Sequence, residues 1–215
     1  MGIVTGSGKA TFGKWADVFK TLGNAPRDLA EARKKTLLQE AQFFRTKILE
    51  GLREQAPGGS AFKPLSPQTI AIRKFLGFKG TKALLRHGDL RNAIAVVDAG
   101  DIVFVGVPRT AQNAQGENLA DVAAINEFGG KPHVIKITPK MAALLGAAFR
   151  AAGIVKKDPH RPVTGIIVVQ IPARPFIGPV FRVYGETKAV EKRMAGRMEK
   201  LMKGKGLWAA TGKAT

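Results

Sequence analysis

The chain has no cysteine, which excludes disulfides, thiol nucleophiles and thiolate metal sites. Histidine is almost as scarce: His87, His133 and His160 stand tens of residues apart, and no zinc-ligand spacing can be drawn through them. No run of 18 or more apolar residues occurs, and the opening MGIVTGSGKATFGKW lacks the basic and apolar regions of a secretory signal. The expectation is a soluble protein, made in a cytoplasm, with no membrane partner. One tyrosine and two tryptophans in 215 residues are too few to build stacking platforms for single-stranded nucleic acid. Carboxylates are in short supply too, 16 against 35 lysines and arginines.

The resulting formal charge of +19 is the strongest compositional signal. A surface so far from neutral attracts polyanions or an acidic protein partner. Residues 61 to 95 carry seven basic groups and one acidic, residues 131 to 184 nine and one, whereas residues 96 to 130 form an acidic island with one and five. The charge is therefore spread along the chain. No helix-turn-helix, zinc-finger or RNP-type signature concentrates it, so an incidental or assembly role is favoured over direct nucleic-acid recognition.

Two local features imitate chemistry. GSGKAT resembles the end of a phosphate-binding loop, but Ile3 and Ala10 stand where that motif needs Gly and Ser or Thr, so no nucleotide cofactor is expected. His87 has no nucleophile beside it in sequence and reads as a structural or interface histidine. Glu127, ahead of Phe128-Gly129-Gly130, is the best isolated acid, and it has no evident partner for acid-base work. The chain is not expected to be an enzyme, and no metal or other cofactor is expected.

Periodicity and punctuation give an α+β order. Residues 1–24, rich in Gly and Lys, read as a flexible arm holding a short helix over 13–22. A helix from Leu29 to Gln55 follows the opening at Pro26 and stops before Pro57-Gly58-Gly59. Ser66-Pro67 and Thr138-Pro139 are cap-then-proline starts for helices over 67–76 and 139–152. Asp89 to Ile94 forms a short helix or turn. Ile94–Asp98 and Asp101–Val107 alternate around Ala99-Gly100 as a hairpin. Leu119–Phe128 is a helix stopped by two glycines, HVIKITP and Ile166–Ile171 are strands, and Val183–Lys203 is a long amphipathic helix. The whole reads as one domain over 25–203, with a loop or insertion over 153–165 and a loose tail over 204–215: a small antiparallel sheet packed by the long N-terminal and C-terminal helices.

Between the last strand and the last helix lies QIPARPFIGPVF. Pro172, Pro175 and Pro179 hold the backbone extended and remove three donors, so this segment is a strut and not a central strand. Arg174 offers a planar fork suited to a carboxylate, and Phe176 and Phe181 are large anchors of the kind found at interface hot spots. The segment reads as an elbow for assembly; alternatively, Phe176 and Ile177 cap the monomer's own core.

Three phrases in order, HGDLRNAI over 87–94, EFGG over 127–130 and IPARPF over 171–176, with ITPKM at 137–141 and a terminal helix behind, resemble the virion morphogenesis family of Mu-like tailed bacteriophages and related neck proteins. The likeness spans about Leu29 to Met202, and Asn126 stands where that family often has histidine. It implies a structural protein forming a hexameric or dodecameric homo-oligomeric ring at the head-tail junction of the virion, as neck, tail-completion or terminator protein. Adjacent neck, head-closure and tail-tube proteins would be its partners, with non-specific contacts to packaged DNA. Ile171, Pro172, Arg174, Pro175, Phe176, Phe181, Glu127, Phe128, Gly129, Gly130, Leu90 and Arg91 are the assembly candidates. The alternative is a basic nucleic-acid-binding protein without enzymatic activity.

Overall fold

Pro26 does not open the first long helix; it lies inside it. In a computed structural model, which describes residues 3–4, 10–11, 15–154 and 165–204, α1 runs unbroken over Trp15–Glu54. An interior proline costs about 3 kcal/mol through one lost donor and a crowded carbonyl. The helix formers that follow it, RDLAEARKK, carry the helix across that single fault. Of the expected arm, Ile3–Val4 (β1) and Ala10–Thr11 (β2) pair antiparallel. Most of the expected loop over 153–165 and all but the first residue of the expected tail fall outside the described residues.

Downstream, the cap signals hold. The Ser66 hydroxyl accepts from Thr69 N–H at the start of α2 (Pro67–Phe75), and Thr138 accepts from Met141 N–H at the start of α5 (Pro139–Ala151). Asp89–Asn92 forms the short α3, and Leu119–Phe128 is α4. Strands β3 (Ala95–Asp98) and β4 (Val103–Gly106) pair as the expected hairpin. Gly100 turns it with φ +88 and donates to Asp98 Oδ1 at 2.9 Å, while Ala99 N–H donates to the Ile102 carbonyl at 2.9 Å. His133–Lys136 (β5) and Ile166–Val169 (β6) pair antiparallel with Val134 opposite Val168. The α+β class stands, but the strands form three separate two-stranded ladders. The long C-terminal helix is two: α6 (Gly178–Tyr184) and α7 (Thr187–Gly204), parted at Gly185, a poor helix former.

The described chain divides into two compact units. The first gathers the residues up to Phe44 with Val96–Val105 and those from Tyr184 onward. Four of its buried residues recur every fourth position of α1, at Ala32, Thr36, Glu40 and Phe44, and stack on one face, which Ala41 widens. Met202 of α7 is buried with this unit.

Arg45–Ala95 and Gly106–Val183 make the second unit. Ile48, Leu52, Leu90, Ile94, Leu119, Phe176 and Val180 are buried in it. Helix α2 packs on α5, with Ala71 and Ala148 as their buried residues, and α3 packs on α4. Gly58, at φ +59, passes so close to Pro179 that a Cβ would come within 2.6 Å of its carbonyl oxygen, which ties the turn after α1 to the start of α6.

Candidate functional site

Helix α4 carries the carboxylate of Glu127 in its last turn. Asn118 caps it, its side-chain oxygen accepting from Ala120 N–H at 2.8 Å and Asp121 N–H at 3.3 Å. Ahead of the cap, Asn113 folds the loop on itself by accepting from Gln115 and Glu117 N–H. The helix stops at Gly129, whose φ of +87 a side chain would resist. Glu127 therefore sits in the last turn at a fixed height.

Its partners are three consecutive main-chain amides. Oε2 accepts from Phe176 N–H at 2.8 Å and Ile177 N–H at 3.1 Å, and Oε1 accepts from Gly178 N–H at 2.7 Å. These amides lead into α6, where they would otherwise have no helical acceptor, and the following Pro179 has no N–H to satisfy. One carboxylate from a distant helix thus does the work of a cap. Gly178 leaves room for it: a Cβ there would lie 2.9 Å from Oε1.

The same two segments are laced along their length. Arg174 N–H donates to the Asn126 carbonyl at 2.7 Å, and Gly130 N–H to the Ile171 carbonyl at 2.9 Å. At Gly129 a Cβ would come within 3.3 Å of Ala173 N. The phrases EFGG and IPARPFIG, more than forty residues apart in sequence, are therefore two halves of one structural clamp.

Within this clamp Arg174 turns inward. It is 7% exposed, and its guanidinium donates to the carbonyls of Lys63 at 2.9 Å and Pro64 at 3.2 Å, not to a carboxylate. Burial holds its pKa below the usual arginine value, though a guanidinium stays charged. Phe176 is 0% exposed and belongs to the core, as the monomer-capping reading has it; Leu90 is buried as well. Pro172, Gly129 and Gly130 are half-buried, whereas Ile171, Pro175, Phe181 and Arg91 are exposed. Phe128 is 83% exposed, an aromatic ring standing in solvent beside an anchored neighbour. Among the twelve candidates the clamp brings together those of 127–130 and 171–176; Leu90 and Arg91 lie on α3.

Two features escaped the sequence reading. In the first unit Glu40, 4% exposed, accepts from Arg193 Nε at 2.9 Å and Nη2 at 2.5 Å and is also bonded by Arg197 Nη1. Arg193 donates further to the Tyr184 carbonyl and lies 4.6 Å over the Phe43 ring, which meets Tyr184 edge-on. The i, i+4 spacing of Arg193 and Arg197 was the available signal, because it puts both on one helical face.

In the second unit, basic side chains crowd together. Arg73 has its pKa lowered by burial first and then by the like charges of Arg86 and Arg174. Arg86 stacks 4.3 Å from the centre of the Phe78 ring, which also meets the His87 ring at right angles with centroids 4.9 Å apart, a packing role for His87. Among the described residues no group of three His, Cys, Asp or Glu could hold a metal ion, and no helix is long and apolar enough to cross a membrane.

Comparison with known families gives a match: the model of the phage virion morphogenesis family fits residues 16–203. No curated protein and no solved structure matches the chain. With most of its length matched, the chain belongs to the phage virion morphogenesis family.

Proposed function

We propose that this virion morphogenesis protein is a structural component that assembles into a homo-oligomeric ring, hexameric or dodecameric, at the head-tail junction and is required to join the tail to the DNA-filled head. The observation that carries the reading is the Glu127 clamp. It makes one rigid body of EFGG and IPARPF, the motifs on which the family resemblance rests, and holds Phe128 out in solvent beside it. A pre-ordered aromatic anchor loses little freedom on docking, which suits a repeated subunit contact. The reading gives Glu127 a positioning role, with its carboxylate accepting from three main-chain amides.

Neighbouring copies are the first partners, followed by the adjacent neck, head-closure and tail-tube proteins. DNA passing a ring of such charge would be met by non-specific contacts, weakened steeply by salt. Native mass spectrometry of the purified chain tests the ring: closed oligomers of one defined stoichiometry are expected, alone or on addition of the neighbouring neck protein. A chain that stays monomeric in both cases and instead binds nucleic acid at physiological salt would favour the alternative, a basic nucleic-acid-binding protein. The uncompensated basic stretch over 61–95 is the observation behind that second reading.

A further inference from the structure

Two adjoining hollows in the second unit have an unusual lining. One, of about 480 Å³, is bounded by Phe62, Lys63, Leu65 and Lys82, the other, of about 380 Å³, by Lys74, Phe78, Lys79 and Gly80, and Ile70 and Thr81 line both. The result is a groove lined by apolar side chains and four lysines, of which Lys82 is already engaged, its Nζ donating to the Arg53 carbonyl at 2.7 Å. Arg174 bonds the Lys63 and Pro64 carbonyls beside it, and Arg73 bonds the Lys82 carbonyl. None of the seven basic side chains of residues 61–95 is paired with a carboxylate among the described residues. Positive charge of this density beside apolar side chains asks for carboxylates flanking an apolar side chain. A duplex supplies the anions but has no apolar knob to fill the groove.

The chain itself carries such a knob. At the tip of the β3–β4 hairpin, in the acidic island, Ile102 is 72% exposed, and Asp101 beside it has no ion pair among the described residues. The turn that presents them is fixed by Gly100 and by Asp98, which Lys34 holds at 3.0 Å. We infer that the hairpin tip of one copy docks in the α2 groove of a neighbouring copy, with Ile102 against its apolar side chains and Asp101 against its lysines. Such a contact joins two different patches, so it repeats head to tail and closes into a ring when the rotation allows. The inference rests on the proposed ring and adds to it the pair of surfaces in contact.

The absence of cysteine makes the test clean. The single variants Ile102→Cys and Thr81→Cys are mixed and oxidised, so that any disulfide joins two molecules, and the linked peptides are identified by mass spectrometry. Thr110→Cys, on another exposed loop, replaces Thr81→Cys as the control. The 81–102 disulfide is expected to exceed the 102–110 control about tenfold, and adding Asp101→Lys to the Ile102→Cys chain should reduce it to the control level. Native mass spectrometry of the unaltered chain reports the ring separately. Closed rings with no 81–102 excess would overturn this contact and leave the ring reading standing. Open polymers carrying the disulfide would support the contact and count against the ring, and monomers without it would overturn both.

Discussion

Two glutamates hold the two units, and they are solvated in opposite ways. Glu40, in the first, is met by the guanidinium groups of Arg193 and Arg197; Glu127, in the second, is met by three backbone amides and, among the described residues, by no cation. Removing a charge from water costs several kcal/mol unless other dipoles or charges replace the hydration. The first solution joins side chains of two helices and leaves a local surplus of one positive charge. The second joins a side chain to the main chain and so fixes the path of the backbone over 176–178. A side-chain pair permits repacking, whereas a carboxylate on consecutive amides dictates a conformation, and the family motifs sit at the second.

The largest expected break is Glu40→Ala. Two partly buried guanidinium groups would face each other without a counter-charge, and the cost is about 3 kcal/mol, read by chemical denaturation. Glu127→Ala should cost about 2 kcal/mol, because water can replace part of what the half-buried Ile177 and Gly178 amides lose, though not what the buried Phe176 amide loses. The pair separates more sharply in local order: hydrogen exchange at Phe176, Ile177 and Gly178 should rise in Glu127→Ala and stay unchanged in Glu40→Ala. Equal exchange in both would mean that the carboxylate does not fix the backbone. Smaller still is Gly178→Ala, about 1 kcal/mol, because its methyl group would press on Oε1 at 2.9 Å and the carboxylate must yield; a neutral effect would show the clamp to be loose.

A last, weak effect lies in the hairpin. Asp98 is held below the ordinary aspartate pKa, first by the Gly100 N–H and then by Lys34. Its folded pKa is depressed, so its contribution is present above the unfolded value and is lost as pH falls through the folded one. NMR titration should place its midpoint below about 3.9, and Lys34→Ala should move it up only part of the way, since the amide remains. A midpoint at the unperturbed value would mean that neither partner acts.

Much of this was legible in sequence. Ser66-Pro67, Thr138-Pro139 and the Gly129-Gly130 stop named the helix ends because capping is local chemistry, and Ala99-Gly100 named the hairpin turn for the same reason. Pro26 misled, since a local penalty was outweighed by the helix around it. Gly185 was read as helix and proved to be a break. At the site, the sequence marked both motifs but not their union: Glu127 lacked a partner because its partners are backbone amides, which no residue type announces. Arg174 looked like a fork awaiting a carboxylate for the complementary reason, that its acceptors are carbonyls.

The role proposed for this protein is to join tail to head. Negative-stain microscopy of particles produced without it tests that directly: full heads beside separate tails, or tails of uncontrolled length, are the predicted result. Intact, infectious particles would contradict it.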